Sequence, residues 1–201
     1  GREHALAWKL AHSPLVQTVY VAPGNGGTAT DKRLANIPIT DVVALREWAQ
    51  NAQIDITVVG PEALLASGVV DEFRAHGLRI FGPTQAAAQL ESSKAFSKDF
   101  MRRHGIPTAR HETFTDATLA HRYVESLGVP IVVKADGLAA GKGVVICASR
   151  EDAVEALDMF WVQNRFGNSG SKVLFEQFLN GIECSVFVLC DGTRSVTLPV
   201  A

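Results

Sequence analysis

The chain has 201 residues, 47% of them hydrophobic and 20% charged, with a formal net charge of −2. That fits one or two compact globular domains and excludes a disordered chain. The near-neutral balance leaves no footprint for nucleic acid or an anionic membrane, and no apolar run is long enough to span a bilayer.

The chain opens at Gly1 directly into a helical pattern (Ala5, Leu6, Trp8, Leu10) and stops within an apolar run at Ala201. Both ends read as cut, so a fragment missing its first strand is expected. Residues 18–22 form a β-rich run ending at Pro23-Gly24-Asn25-Gly26-Gly27. Residues 40–52 read as a helix, with Thr40 or Asp41 as N-cap. A strand over 54–59 ends at Gly60. A helix then runs from Pro61, at its first position, to about His76, with Gly77 as the left-handed cap. A strand over 78–81 ends at Gly82-Pro83. Alternating strands and helices predict a parallel sheet buried on both faces. Ligands collect at the carboxyl ends of such strands. Two glycine-rich turns lie there, Pro23 to Gly27 and Gly60-Pro61-Glu62, and a third would end at Gly1.

The texture changes after Gly82, which places a domain boundary near 84–91. Residues 92–104 predict an amphipathic helix with Phe96 and Phe100 on one face. A strand (111–114), a helix (116–127) and a strong strand (131–135) follow. The loop 136–142 leads to a strand (143–148), a helix from 150 to about 161, and strands at 173–178 and 184–189. Cys147, Cys184 and Cys190 lie in these apolar stretches. Their number and spacing suit neither zinc nor a disulfide framework, so buried reduced thiols in a cytoplasmic protein are expected. No stretch reads as a signal peptide, in keeping with the cytoplasmic expectation.

The strongest chemical signal is Val133-Lys134-Ala135-Asp136-Gly137-Leu138-Ala139-Ala140-Gly141-Lys142-Gly143-Val144. Glycines let backbone amides approach an anion, and lysines add mobile positive charge, so a polyphosphate is the natural guest. This is not a Walker A loop: the spacing is one residue short, Gly143 stands where Ser or Thr should bind magnesium, and a strand follows. The competing reading is a surface hairpin with solvated lysines. Against it, Lys134 lies in an otherwise apolar strand and needs a partner there. Lys94, at the start of the preceding helix, is a surface charge or a second phosphate contact. In the stretch Phe175-Glu176-Gln177-Phe178-Leu179-Asn180-Gly181-Ile182-Glu183, a strand end could present backbone groups to a base and a carboxylate to a ribose. Taken alone, it reads first as a strand followed by a turn.

The order of these elements resembles the ATP-grasp superfamily. Gly-Arg-Glu-His-Ala at the start, Pro23 to Thr28, Val59 to Ala63, Phe81 to Thr84, Gln89 to Lys94 and Lys134 to Val144 are similar to the phosphoribosylamine–glycine ligase family. The resemblance covers the whole chain. It implies an α/β fold: a Rossmann-like N-terminal parallel sheet (1–90), then a partial ATP-grasp domain (91–201) with an α+β lid at about 108–180 and the start of the core. It implies ATP with Mg2+ or Mn2+ as cofactors and glycine and 5-phosphoribosylamine as substrates, in a monomer with no nucleic acid or membrane partner. Lys94, Lys134, Gly137, Gly141, Lys142 and Gly143 would hold the phosphates. Glu176, Phe178 and Leu179 would frame the adenine, and Glu183 the ribose. His4, Asn25, Gly26, Gly27, Gly60, Pro61 and Glu62 would face phosphoribosylamine, with packing or capping an equal alternative for His4. No side chain is assigned as catalytic.

Two departures stand out. The family's metal ligands are expected beyond Ala201, and Gln177 and Ile182 stand where the family commonly has Glu. The implied chemistry is phosphorylation of the glycine carboxylate, followed by attack of the amine on the acyl phosphate. Three other readings compete. A sister ATP-grasp ligase would differ in its N-terminal motifs. An NAD-dependent oxidoreductase leaves the lysine loop unexplained. A non-catalytic nucleotide-binding module fits a chain without metal ligands.

Overall fold

The computed structural model describes residues 1–126, 128–139 and 142–201. Its N-terminal half runs α1 (Arg2–Ala11), β1 (Val19–Val21), α2 (Gly26–Thr30), β2 (Leu34–Asn36), α3 (Val42–Asn51), β3 (Thr57–Val58), α4 (Glu62–Ala66), α5 (Val69–Ala75), β4 (Ile80–Phe81) and α6 (Gln85–Ser92). The strands are parallel, as the alternation predicts. Among the described residues they form two separate pairs rather than one ladder: β1 with β2, Val19 opposite Leu34, and β3 with β4, Thr57 opposite Ile80. The core beneath them joins Ala49, Val69, Val70, Phe73 and Ile80, with Trp48, Leu65 and Val59 packed against it.

The helix expected from Pro61 to about His76 is broken in two. Gly68 adopts φ +90, a left-handed turn that ends α4 and re-aims the chain so that Val69, Val70 and Phe73 enter the core. Pro61 is the N-cap residue rather than the first helical position, with extended φ −77 and ψ 133. Three elements escape the sequence pattern. The five-residue α2 and three-residue β2 are too short to show a period. The boundary segment folds into α6, whose first turn is capped by Thr84 through its hydroxyl and the Ala87 N–H, 3.3 Å.

The C-terminal half contains α7 (Lys94–Arg103), β5 (His111–Phe114), α8 (Ala117–Ser126), β6 (Ile131–Ala135), β7 (Val144–Cys147), α9 (Arg150–Leu157), a π turn (Asp158–Val162), a 3-10 turn (Gly167–Gly170), β8 (Val173–Gln177), β9 (Val188–Cys190) and β10 (Ser195–Thr197). A four-stranded antiparallel sheet takes the order β5-β8-β6-β7. Along β6, Ile131, Val133 and Ala135 are buried against a cluster with Val124, Leu157, Phe160 and Phe175. By the two-residue period of a strand, Lys134 and Glu176 face the other side. Glu176 stands opposite Val132, so Lys134 is its diagonal neighbour.

Cys147 is buried as expected, but Cys184 and Cys190 are exposed. The strand read over 184–189 starts only at Val188. Among the described residues, strands β9 and β10 pair only with each other, and no described layer covers their apolar residues, among them Leu189 and Val196. No helix among the described residues is long and apolar enough to cross a membrane.

Candidate functional site

Helix α7 and the open face of the β6–β8 sheet bring four charged side chains together. Lys134 Nζ lies 2.8 Å from Glu176 Oε2, and Lys98 Nζ lies 3.1 Å from the same oxygen. Glu176 is 5% exposed and Lys98 8% exposed, so this is a buried ion cluster rather than a surface pair. Lys98 also donates to the Thr108 hydroxyl at 2.7 Å. Lys94, at the first position of α7, donates to the carbonyls of Gly137 at 3.0 Å and Asp136 at 3.3 Å. Burial pushes the Lys94 ammonium below the usual lysine range. The Asp136 charge opposes that shift and the nearby Lys134 charge adds to it.

Asp136 fixes this geometry. Its carboxylate accepts from the Ala95 N–H at 2.7 Å and from the Ser93 hydroxyl at 3.1 Å, with Lys172 Nζ at 3.7 Å. A strand-end carboxylate therefore caps α7 and holds Lys94 over the loop. The sequence reading named neither Lys98 nor Asp136 as site residues. The signals were present: Lys98 follows Lys94 by one helical turn, and Asp136 lies inside the lysine–glycine motif.

The loop glycines serve close approach within the chain. A Cβ on Gly137 would stand 2.6 Å from Ser169 Oγ and 2.9 Å from its Cα, and one on Gly143 would meet Ala139 Cβ at 2.6 Å. Ser169 also donates to the Leu138 carbonyl at 3.1 Å. Lys142 is exposed, and its N–H donates to Ala139 O at 2.9 Å. Gly141 lies outside the described residues.

At the end of β8, the N–H and C=O groups of Phe178 and Leu179 have no partner among the described residues, whereas the Gln177 N–H is spent on Arg110 O at 2.9 Å. A free strand edge next to the lysine cluster can meet the edge of a planar base. Glu176 itself is committed to lysines through Oε2. Glu183 is exposed and makes no hydrogen bond or ion pair among the described residues.

A second cluster forms where three helices begin. Asn25 caps α2 by accepting from the Gly27 N–H at 2.9 Å and the Thr28 N–H at 3.1 Å. A Cβ on Gly27 would meet His4 Nδ1 at 2.8 Å, and one on Gly60 would meet Glu3 Cγ at 2.9 Å. Gly26 has open space on that side. Arg2 bridges Glu62 at 2.7 Å and Glu3 at 3.0 Å. His4, the turn 25–27 and the turn 60–62 are thus brought together, with Pro61 setting the start of α4. Arg2 and Glu3 belong to the same cluster and were not singled out. The Arg2 guanidinium and the residue's own N–H hold the Glu62 carboxyl down at about 2. Converging helix N-termini make an anion-binding surface.

Residues 1–91 match the family described as phosphoribosylglycinamide synthetase, N domain, and residues 92–201 match phosphoribosylglycinamide synthetase, ATP-grasp (A) domain. Phosphoribosylamine–glycine ligase of Ralstonia nicotianae is 63% identical over 198 residues, 98% of this chain and 47% of that protein. The Escherichia coli K12 protein of the same name is 56% identical over 203 residues, covering 100% of this chain and 47% of its own length. The crystal structure of phosphoribosylamine–glycine ligase from Thermotoga maritima superposes with a TM-score of 0.78 at 31% identity, over 99% of this chain and 47% of that one. A biotin carboxylase domain from Hydrogenobacter thermophilus, at TM-score 0.74 and 19% identity, shares the fold. The chain spans about half the length of the curated relatives it matches. With both halves matched end to end, the chain belongs to the phosphoribosylglycinamide synthetase family and carries its N domain and ATP-grasp (A) domain.

Proposed function

We propose that the intact protein joins glycine to 5-phosphoribosylamine at the expense of ATP, giving glycinamide ribonucleotide, ADP and phosphate, as a cytoplasmic monomer. The observation that carries this reading is the convergence of Lys98 and Lys134 on Glu176, with Lys94 held beside them at the Gly137 carbonyl, in a chain 63% identical to a phosphoribosylamine–glycine ligase.

The chain's own residues supply positioning and charge. Lys94 and Lys134 face the phosphates and offset their negative charge. Gly137 and Gly143 let the backbone approach them closely, which helps keep water from an activated carboxylate. The free backbone edge at Phe178 and Leu179 meets the adenine, and Glu183 holds the ribose. The cluster of Arg2, Glu3, His4, Asn25 to Gly27 and Glu62 takes the phosphoribosylamine. ATP supplies the phosphoryl group that makes the glycine carboxylate a leaving-group-bearing acyl centre, which the substrate amine attacks. Lysine and glycine fit the polyphosphate. For the accompanying Mg2+ or Mn2+ the fit is poor: no group of three His, Cys, Asp or Glu that could hold a metal stands together among the described residues. No step is therefore routed through the metal.

The test is ADP formation by the intact protein with phosphoribosylamine generated in situ. ADP release that requires both glycine and phosphoribosylamine supports the reading, and Lys134→Met should lower it at least about 100-fold, as loss of one charge-stabilising group typically does. Tight ATP binding with no glycine-dependent turnover would favour a non-catalytic nucleotide-binding module instead.

A further inference from the structure

Two lysines share one carboxylate oxygen in the cluster, which leaves the group with one surplus positive charge. Lys98 and Lys134 both contact Glu176 Oε2, at 3.1 and 2.8 Å. Their surroundings differ. The Lys98 side chain, on α7, is 10% exposed and lies 2.7 Å from Thr108 Oγ1 and 3.5 Å from the Ala109 carbonyl. The Lys134 side chain is 25% exposed, and Glu176 is its sole hydrogen-bond partner among the described residues. One lysine is fixed at three acceptors, and the other is tied at one.

We propose that Lys98 is a positioning residue that serves as the permanent counter-ion of Glu176, so that Lys134 can leave Glu176 for a nucleotide phosphate without stranding a buried negative charge. This rests on the nucleotide reading above and adds a partner exchange to it. The physical reason is the cost of an unpaired buried carboxylate, which is severe when one member of a buried pair is removed. Without Lys98, Lys134 is the one lysine left in direct contact with Glu176 among the described residues, and every phosphate contact it makes must be won against that cost. With Lys98 in place, the flexible Lys134 stem moves between two anions of similar pull. Lys98 touches no reacting atom in this scheme. It acts through Glu176 and Lys134.

The readout is the preference of the intact protein for ADP over adenosine, measured by calorimetry as the ratio of their dissociation constants. Adenosine reports the base and ribose contacts, and ADP adds the phosphates. Lys98→Met should cut the preference for ADP by about tenfold or more, with adenosine affinity within about threefold of the parent, because only the lysine released to phosphate is affected. In Lys98→Met/Glu176→Gln the buried charge is gone, Lys134 is free, and the ADP preference should return. An unchanged preference in Lys98→Met overturns the proposal. So does a loss that Glu176→Gln fails to restore, since a merely structural lysine would not be rescued by neutralising its partner. Should Lys98→Met not fold, Glu176→Gln alone decides: the ADP preference must rise, because Lys134 loses the carboxylate that competes with phosphate, and an unchanged or lower preference refutes the exchange. A parent protein that binds neither adenosine nor ADP would sink the nucleotide reading itself, an outcome distinct from all of these.

Discussion

Replacing Asp136 by alanine should be among the most damaging single changes in the C-terminal half, although its side chain is no part of the apolar core. The carboxylate accepts from the Ala95 N–H at 2.7 Å and from the Ser93 hydroxyl at 3.1 Å, where α7 begins. A hydrogen bond to a charged acceptor contributes about 1.5–3 kcal/mol, and a negative charge at a helix N-terminus adds about 0.3–1 kcal/mol. The loss falls short of the full sum for two reasons. Ser93 keeps its own contact to the Phe96 N–H at 3.2 Å. The Asp136 side chain is 14% exposed, so water can reach the freed Ala95 N–H. The expected cost of Asp136→Ala is therefore about 2–3 kcal/mol. Asp136→Asn, which retains an acceptor oxygen without the charge, should cost about half of that. Urea unfolding followed in the C-terminal sheet measures both, with Asp99→Ala as a surface control on the same helix. If Asp136→Ala stays within about 0.5 kcal/mol of the parent, the range of an ordinary surface change, the capping account of α7 is wrong.

Gly137→Ala should destabilise by about 1–3 kcal/mol, since the new methyl meets the Ser169 side chain and its backbone Cα at 2.9 Å, and a backbone atom cannot turn aside. Thermal unfolding of Gly137→Ala beside Gly143→Ala gives the size, and a neutral Gly137→Ala would show that the 3-10 turn is free to move. The Glu62 carboxyl should titrate near 2 by carbon-13 NMR and return toward 4.5 in Arg2→Ala. Because its folded value is depressed, the Arg2–Glu62 pair stabilises the fold above about pH 4.5 and is lost as the pH falls toward 2. With Glu62 43% and Arg2 49% exposed, it contributes less than about 1 kcal/mol. Cys147, whose thiol burial pushes up to about 11, should resist iodoacetamide at pH 8 until the protein is unfolded. Rapid labelling of Cys147 in the folded protein would contradict the packing of β7 against α9.

The sequence revealed the fold where local pattern and tertiary packing agree. Strand β6 alternates because its odd positions face a helix layer, and the parallel character of the N-terminal strands follows from the helices between them. The site was legible where its chemistry is concentrated in one run, as in Lys134 to Gly143. It was hidden where it depends on register. Lys98 looks like any helix lysine until the diagonal pairing of Lys134 with Glu176 and the approach of α7 bury it. Asp136 looks like a loop residue until the start of α7 arrives at its carboxylate. The break at Gly68 was missed because the apolar spacing of 62–75 continues through it, and only the glycine's positive φ shows that the axis turns. The exposed Cys184 and Cys190 were misread for a similar reason. An apolar run predicts burial, but burial needs a covering layer, and none of the described residues provides one for β9 and β10.

The most direct test of the central claim is the fate of the glycine carboxylate oxygens. Glycine labelled with oxygen-18 in both carboxylate positions would be supplied to the intact protein with ATP and phosphoribosylamine, and the released phosphate examined by mass spectrometry. Activation of the carboxylate by phosphoryl transfer predicts one labelled oxygen in every phosphate released, with the amide retaining the other. Unlabelled phosphate would mean that water, not glycine, receives the phosphoryl group, and the ligase account would fall.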